Sequence, residues 1–237
     1  MSVAAVVPAA GSGTRLGAAL PKAFVPLAGV PIVVRAVGGL LDSGAVDEVV
    51  VAVPGDLLDR ARELFVGRPV RVLAGGGERT ASVRLALELL CGSHGGERPS
   101  GPAGDGPPEV VLVHDAARPL TPPALIASVV AAVRAGHPAV VPALPLADTV
   151  KQVCEGAVER TVDRSELRAV QTPQGFAYET LRRAYEKAGD SGDTATDDAG
   201  LVERLGEPVV TVPGDPAAFK VTTAWDLRIA ELLLEGS

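Results

Sequence analysis

The residues that follow the first apolar run of the chain have types that could hold a polyphosphate. Val3 to Val7 is short, uncharged and rich in β-branched residues, so it predicts a buried strand. The next residues are Pro8, Ala9, Ala10, Gly11, Ser12 and Gly13. Glycines and other small residues let backbone N–H groups approach phosphate oxygens closely, and Arg15 and Lys22 add two positive charges. The stretch therefore predicts a loop that binds a nucleoside triphosphate, with an ordinary strand-to-helix turn as the alternative.

This loop departs from both familiar nucleotide-binding motifs. The Walker motif closes on Gly-Lys-Ser/Thr, which is absent here. The dinucleotide motif needs Gly-x-Gly-x-x-Gly, whereas Gly17 falls one residue late. The loop alone thus indicates phosphate binding without indicating a reaction.

Two further polar loops follow apolar runs, so each of them is also expected to follow a buried strand. Val70 to Leu73 leads into Gly75-Gly76-Gly77, and Val110 to His114 leads into Asp115-Ala116-Ala117-Arg118. Strand-like runs alternate with helical periodicity in this part of the chain, which predicts an α/β fold with a mostly parallel sheet and helices on both faces. Ligands bind at the carboxyl ends of the strands in such sheets. Because all three loops leave strands at that edge, we expect them to converge on one site.

The length and the remaining patterns predict one domain with two excursions. A chain of 237 residues fits a single α/β domain over residues 1–237. The segment 92–108 is rich in Gly, Pro and Ser and predicts a flexible surface insertion. The segment 145–168 predicts a projecting β-hairpin arm with a turn at Glu155-Gly156. Such an arm often makes a dimer contact, and a simple edge hairpin is the alternative.

Composition limits the classes of partner. The net charge of −7 argues against binding to a nucleic acid polymer or to an anionic membrane surface. Any anionic substrate must therefore be held by clustered cations. Cys91 and Cys154 have the spacing of neither a metal site nor a disulfide framework. The chain has no run of about eighteen apolar residues, and its first apolar run is cut at Pro8, unlike a signal peptide. We expect a cytoplasmic protein.

Taken together in chain order, these motifs resemble one family, the 2-C-methyl-D-erythritol 4-phosphate cytidylyltransferases of the non-mevalonate isoprenoid pathway. The matching segments are 8–15, 21–22, 75–83, 114–119, 148–151, 161–164, 172–174, 196–198 and 220–222. They run from the first strand to the last helix, so the resemblance covers essentially the whole chain. It implies a Rossmann-like nucleotidyltransferase fold and transfer of CMP from CTP to 2-C-methyl-D-erythritol 4-phosphate, with Mg²⁺ or another divalent cation. The products would be 4-diphosphocytidyl-2-C-methyl-D-erythritol and pyrophosphate.

The resemblance also implies roles for individual residues. Arg15, Lys22 and Lys220 would be the catalytic cations. The residues implied in CTP binding are Pro8, Ala9, Ala10, Gly11, Ser12, Gly13, Gly76, Ser82, Asp115 and Ala116, and Asp115 is also the candidate metal ligand. The residues implied in binding the sugar-alcohol phosphate are Arg118, Thr149, Arg164, Thr172 and Thr196. In the family the arm that carries Thr149 and Arg164 crosses to the partner of a homodimer. An acidic residue often follows the paired glycines, and Gly77 stands there, so only the backbone contribution to base recognition is implied at that position.

Three other functions remain as alternatives at this stage. The family that uses ribitol 5-phosphate shares several of the motifs, and a nucleotide-binding protein without turnover would share the loops. A nicotinamide-dependent dehydrogenase is disfavoured by the glycine spacing and because no acidic residue ends the second strand at Val53-Pro54.

Several of the singled-out residues also have a purely structural alternative. Asp115 could accept hydrogen bonds from loop N–H groups instead of meeting a metal, and Arg118 could brace its loop by bonding carbonyls. Ser82 could cap the helix that it opens. His114 is expected to be a packed residue at a strand end, and Asp197-Asp198 is expected to be the acidic first turn of a helix.

Overall fold

The computed structural model describes residues 2–11, 20–92, 106–191 and 196–236. The strands are β1 (Val3–Pro8), β2 (Pro26–Leu27), β3 (Val30–Pro31), β4 (Glu48–Val53), β5 (Val70–Ala74), β6 (Val110–Val113), β7 (Ala139–Pro145), β8 (Val150–Cys154), β9 (Ala157–Val162), β10 (Arg168–Val170), β11 (Gln174–Ala177) and β12 (Val209–Pro213). The helices are α1 (Ile32–Asp42), α2 (Leu58–Leu64), α3 (Arg79–Leu90), α4 (Pro123–Arg134), α5 (Tyr178–Ser191), α6 (Asp198–Glu203) and α7 (Ala224–Glu235).

Eight strands of the described residues form one mixed sheet. The strands β5, β4, β1 and β6 are parallel neighbours in this order, with Val7 opposite Val51 and Val6 opposite Val113. Beyond β6, the short strand β11 runs antiparallel between β6 and β7. The strand β10 is antiparallel to the end of β7, and β12 is parallel to β7. The predicted mostly parallel α/β sheet is confirmed, while the two antiparallel strands within 168–177 are not predicted from the sequence.

Apolar side chains cover both faces of the sheet, as the sequence predicts. Val3, Ala5 and Val7 point to one face, where they pack with α1, α2 and α4. Ala4 and Val6 alternate with them and pack on the other face with α3, α5 and α6. Since successive side chains of a strand point to opposite faces, a strand buried on both faces needs an uninterrupted apolar run, which β1 has.

The remaining described elements lie outside this sandwich. The helix α7 packs on β2 and the residue before it, with Ala230 in one apolar cluster with Val25 and Leu27. The strands β8 and β9 pair only with each other, around a turn at Glu155-Gly156 where both residues have positive φ. They form a hairpin inside the segment 145–168 that the sequence predicts to be an arm, and most of the hairpin residues are exposed. Most of the expected insertion, residues 93–105, lies outside the described residues. No helix in the described ranges combines the length and the apolar character needed to cross a membrane.

Candidate active site

The three predicted loops meet in one cleft of about 310 Å³. They converge because β1, β5 and β6 are parallel and therefore end at the same edge of the sheet. The cleft is lined by Pro8, Ala9, Ala10, Gly11, Lys22, Ala23, Gly76, Gly77, Glu78, Arg79, Ser82, Asp115, Ala116, Ala117 and Lys220. Ten of the residues predicted to form the site are in this set. Arg15, Ser12 and Gly13 lie outside the described residues.

The glycine-rich loop after β5 packs directly against the loop after β1. A Cβ atom on Gly75 would lie 2.5 Å from Cβ of Ala10 and 2.7 Å from Oγ of Ser82, so only glycine fits there. The backbone N–H of Gly76 donates to Oγ of Ser82 at 3.1 Å, and this hydroxyl donates to the carbonyl of Glu78. Buried Ser82 thus holds the loop onto the first turn of α3. It does so from within the helix, which begins at Arg79 with Glu78 at the N-cap, so the expected capping role is wrong. Its contact with the base stays a prediction.

Asp115 is surrounded by three cationic side chains. Its Oδ2 lies 2.9 Å from Nζ of Lys220 and 3.7 Å from Nε of Arg118, and its Oδ1 lies 3.6 Å from Nε of Arg79. Burial acts to raise the pKa of Asp115, but Lys220, Arg79 and Arg118 outweigh it and hold this pKa at about 2. The carboxylate is therefore ionised at neutral pH and partly neutralises the cations of the cleft.

The segment that carries Lys220 is fixed against the loop after β6. The N–H of Val221 donates to the carbonyl of Ala117 at 2.8 Å. Nη1 of Arg118 donates to the carbonyl of Ala218 at 2.6 Å, and Nη2 donates to the carbonyl of Val170. Arg118 is buried and does brace its loop through carbonyls, so its predicted contact with the sugar-alcohol phosphate stays a prediction.

His114 and Thr172 form the support beneath Asp115. The backbone N–H of Asp115 donates to Oγ1 of Thr172 at 3.0 Å, and this hydroxyl lies 3.1 Å from Nδ1 of His114. Nε2 of His114 lies 3.3 Å from the carbonyl of Arg118. A carbonyl oxygen can only accept, so this contact assigns the proton to Nε2, and Nδ1 then accepts from the Thr172 hydroxyl. Burial lowers the pKa of His114 to about 4, so the ring is neutral at pH 7 and is the packed strand-end residue that the sequence predicts.

Arg79 is the main residue of the cleft to which the sequence assigns no role. It lies in the first turn of α3 and lines the cleft beside the glycine-rich loop. Its Nη2 donates to Oδ2 of Asp198 at 2.6 Å. Burial acts to lower the pKa of Arg79, but Asp198 outweighs it and raises the pKa above its ordinary value. Its place in the matching segment 75–83 is the signal in the sequence that marks it.

Three predicted site residues lie away from this cleft. Thr149 and Arg164 flank the arm and are exposed, and Arg164 donates to the carbonyl of Ala147 in its own chain. Thr196 is exposed and precedes α6, which Asp197 caps by accepting a hydrogen bond from the N–H of Gly200. Their binding roles need either a bound substrate or a second subunit, and they stay predictions.

The cleft offers few ligands for a metal. No group of three or more His, Cys, Asp or Glu side chains in the described part of the chain could hold an ion. Asp115 and Glu78 are the described carboxylates that line the cleft. Mg²⁺ is often bound by one or two carboxylates together with substrate phosphates rather than by an all-protein cage. Asp115 and Glu78 fit an arrangement in which one or two carboxylates act together with substrate phosphates.

Comparison with known proteins identifies the family. The family model "IspD: 2-C-methyl-D-erythritol 4-phosphate cytidylyltransferase" matches residues 3–236. A protein of that name from Saccharopolyspora erythraea is 59% identical over 237 residues, which cover 99% of this chain and 100% of the relative. One from Rhodococcus opacus is 57% identical over 234 residues, covering 98% of this chain and 95% of the relative.

Solved structures agree with the sequence comparisons. The crystal structure of 2-C-methyl-D-erythritol 4-phosphate cytidylyltransferase from Thermus thermophilus superimposes with a TM-score of 0.79 at 36% identity. The match covers 99% of this chain and 100% of that structure. The resemblance and the nucleotidyltransferase fold expected from the motifs are thereby confirmed, and the chain belongs to the 2-C-methyl-D-erythritol 4-phosphate cytidylyltransferase family.

Proposed function

We propose that this chain transfers CMP from CTP to 2-C-methyl-D-erythritol 4-phosphate, releasing pyrophosphate. The observation that carries the proposal is the cleft at the strand ends, where Lys22, Arg79 and Lys220 surround small-residue loops. Family membership over residues 3–236 supports the same reaction. An acidic chain that concentrates cations at one edge of its sheet can bring two repelling phosphate compounds together there.

The reaction needs no covalent nucleophile from the protein. A phosphate oxygen of the acceptor attacks the α-phosphorus of CTP in line, the bond to the bridging oxygen breaks, and pyrophosphate leaves. The attacking oxygen is already negatively charged at neutral pH. The obstacles are repulsion between the two anions and the charge on the transferring group, and positioned cations relieve both. Lys22 and Lys220 would do this from opposite loops, with Arg15 as the third catalytic cation.

The walls of the cleft suit the nucleotide. Ala9, Ala10 and Gly11, with Gly76 on the facing loop, line the cleft with small side chains or none, so a phosphate can approach the backbone closely. The N–H groups of Ala9 and Gly76 already donate to the carbonyl of Ala52 and to Oγ of Ser82. Ala9, Ala10, Gly11 and Gly76, with Pro8, Ser12, Gly13 and Ser82, would hold the triphosphate and the base, and Ala116 would contact the ribose. Arg118, Thr149, Arg164, Thr172 and Thr196 are proposed for the acceptor.

A divalent cation, Mg²⁺ in the first instance, would be held mainly by the phosphates of CTP, with Asp115 as the proposed protein ligand. The charge state of Asp115 fits, because its pKa of about 2 keeps it an anion. When bound, the ion would neutralise part of the phosphate charge. In the structure, Asp115 holds Lys220 in the cleft.

The arm supports a proposed homodimer with arm exchange. Val153 and Val158 of β8 and β9 are more than half exposed, at 54% and 60%, on a hairpin that pairs only with itself. Arg164, just after this hairpin, is also exposed. An arm of this kind gains burial from a second subunit. We also propose a single domain over residues 1–237 and a location in the cytoplasm.

Pyrophosphate release tests the proposed function. The chain is incubated with CTP and Mg²⁺, and either 2-C-methyl-D-erythritol 4-phosphate or ribitol 5-phosphate is added. We expect release with the first acceptor. Release with ribitol 5-phosphate alone would assign the chain to that reaction, and tight CTP binding without release from either acceptor would favour a nucleotide-binding protein without turnover.

A further inference from the structure

Asp198 is a carboxylate buried in the protein interior beside the cleft. It lies in the first turn of α6 and its side chain is fully buried. Its Oδ2 accepts a hydrogen bond from Nη2 of Arg79 at 2.6 Å, and its Oδ1 accepts one from the hydroxyl of Tyr185 on α5. A buried charge is costly unless it is paired and hydrogen-bonded. Both oxygens of Asp198 are so paired. The expected acidic first turn of a helix is confirmed, and Asp198 is in addition the centre of a buried network.

The guanidinium of Arg79 is held between two carboxylates. Its Nη2 faces Asp198, and its Nε lies 3.6 Å from Oδ1 of Asp115 in the cleft. The guanidinium is planar and its donors form a rigid fork, so fixing Nη2 also fixes the direction of the neighbouring Nε–H. Asp198 therefore sets the direction from which Arg79 meets Asp115.

The position of Asp198 is itself fixed by the strand behind it. The side chain of Gln174 on β11 donates to Oδ2 of Asp197 at 2.7 Å and accepts from the N–H of Ala199 at 3.1 Å. These two bonds flank Asp198 on both sides in sequence. Tyr185 adds a contact from α5, and burial together with Asp198 raises the pKa of its hydroxyl well above the ordinary value, so it stays a donor.

We propose that Asp198, together with Tyr185, is a positioning residue for the transfer reaction and acts through Arg79 on Asp115 and Lys220. The inference rests on the proposed function, because it concerns the same site. Asp115 presents Oδ1 to Arg79 and Oδ2 to Lys220. When Arg79 loses its anchor, the carboxylate can rotate, and the ammonium group of Lys220 loses its fixed place in the cleft.

Three variants and one control test the network. Asp198→Asn keeps the shape but removes the charge, Tyr185→Phe removes one hydroxyl, and Arg79→Met removes the guanidinium. Tyr178→Phe is the matched control, since it removes a hydroxyl from another buried tyrosine of α5, two turns earlier. Rates of pyrophosphate release give kcat and both KM values, and thermal unfolding is measured in parallel.

We expect Asp198→Asn to lower kcat by about 10- to 100-fold, because small misplacements of reacting groups have effects of this size. Tyr185→Phe should lower kcat about threefold, a smaller loss than for Asp198→Asn, because Asp198 still pairs with Arg79 in this variant. The control should stay within about twofold of the parent enzyme. If Asp198→Asn does not fold, Tyr185→Phe carries the test, and parental kcat in the variant that folds overturns the proposal.

A double-mutant cycle separates positioning from a general loss of structure. In the Arg79→Met background, Asp198→Asn should change kcat by less than about twofold and should raise the unfolding temperature, since it removes an unpaired buried charge. An equal loss of kcat in both backgrounds overturns the proposal. If the parent enzyme shows no turnover, the proposed function fails, and the CTP dissociation constant becomes the readout. If the CTP dissociation constant of Asp198→Asn then equals that of the parent, the proposed positioning role of Asp198 is overturned as well.

Discussion

Nζ of Lys220 lies 2.9 Å from Oδ2 of Asp115 in the cleft. The pair joins the segment before α7 to the loop after β6, and the backbone bond from Val221 to Ala117 fixes the same two segments. The side chain of Lys220 is still 46% exposed. A cation that is held in place yet accessible needs little reorganisation when a phosphate arrives, which is the condition for efficient electrostatic stabilisation.

Asp115→Asn should lower kcat by about 10- to 100-fold, because Lys220 and Arg79 lose the charge that orients them. The amide has the same shape, so the fold should persist. Initial rates of pyrophosphate release at saturating CTP and acceptor measure the effect. A variant with the parental kcat would show that this carboxylate does not orient the cations.

The Mg²⁺ dependence of the same variant measures its other proposed role. A higher Mg²⁺ concentration for half-maximal rate in Asp115→Asn would assign a metal contact to Asp115. An unchanged concentration would limit its part to holding the cations. Asp56→Asn, an exposed carboxylate in the 3-10 turn after β4, is the control for the general loss of one negative charge.

Acidification should destabilise the protein through His114. Burial lowers the pKa of His114 to about 4 in the folded protein, against an ordinary value of 6.5. Between these two values the unfolded chain binds a proton that the folded chain does not, so stability is complete above pH 6.5 and falls as the pH drops towards 4. From pH 7 to pH 5 we expect a loss of about 2 kcal/mol in the free energy of unfolding. Urea unfolding at several pH values measures it.

His114→Gln isolates this effect. The variant should be less stable at pH 7, because Thr172 and the carbonyl of Arg118 lose their partner. Its free energy of unfolding should nevertheless depend less on pH between 7 and 5. Asp115 does not contribute in this window, since its pKa of about 2 keeps it ionised throughout. Equal slopes for parent and variant would contradict the assignment to His114.

The convergence of the loops was predictable from the sequence because it depends on local patterns. Apolar runs such as Val3–Val7 mark the parallel strands, and parallel strands end at one edge. The residues that follow them, among them Ala10, Gly76 and Asp115, therefore had to meet. A loop sequence also fixes its own close approaches, as at Gly75.

The buried network was not predictable in the same way. Arg79 and Asp198 are 119 residues apart in sequence. Each of them alone looks like an ordinary polar residue in the first turn of a helix. Their pairing depends on how α6 packs on the sheet, which no local period encodes. The strands β10 and β11 are three and four residues long, too short for an alternating pattern to mark them.

Mixing two inactive variants should restore activity if the arm acts on a partner subunit. Lys22→Ala should impair triphosphate binding and Arg164→Ala should raise the acceptor KM, and each homodimer should be nearly inactive. In a mixed dimer, one site keeps Lys22 of one subunit and Arg164 of the other. After subunit exchange at equal amounts, we expect about a quarter of the parental activity, because half of the dimers carry one intact site.

The same mixture decides whether the arm acts within its own chain. If Arg164 served the cleft of its own subunit, every subunit in the mixture would lack one essential residue. Activity would then remain at the sum of the two separate variants. An affinity tag on one variant that retains the untagged variant confirms that mixed dimers are present. A lack of restored activity then speaks against arm exchange and not against assembly.

Gly75→Ala should weaken CTP binding and stability together. The added methyl group would lie 2.5 Å from Cβ of Ala10 and 2.7 Å from Oγ of Ser82. Because Ala10 belongs to a packed loop and Ser82 to α3, one of these segments or the glycine-rich loop must move, which should cost about 1–3 kcal/mol in the free energy of unfolding. The displaced Ser82 hydroxyl also holds the N–H of Gly76. We therefore expect the CTP KM to rise about tenfold.

Gly55→Ala provides the matched control, since Gly55 lies in the turn after β4 and a Cβ there would meet nothing within 4 Å. This variant should keep the parental CTP KM. Its stability should change by less than about 0.5 kcal/mol, as for an unstrained surface substitution. If Gly75→Ala kept parental stability and CTP KM, the two loops would not be in the close contact that lines the cleft. If its stability alone fell, Ser82 and Gly76 would hold the loop without taking part in nucleotide binding.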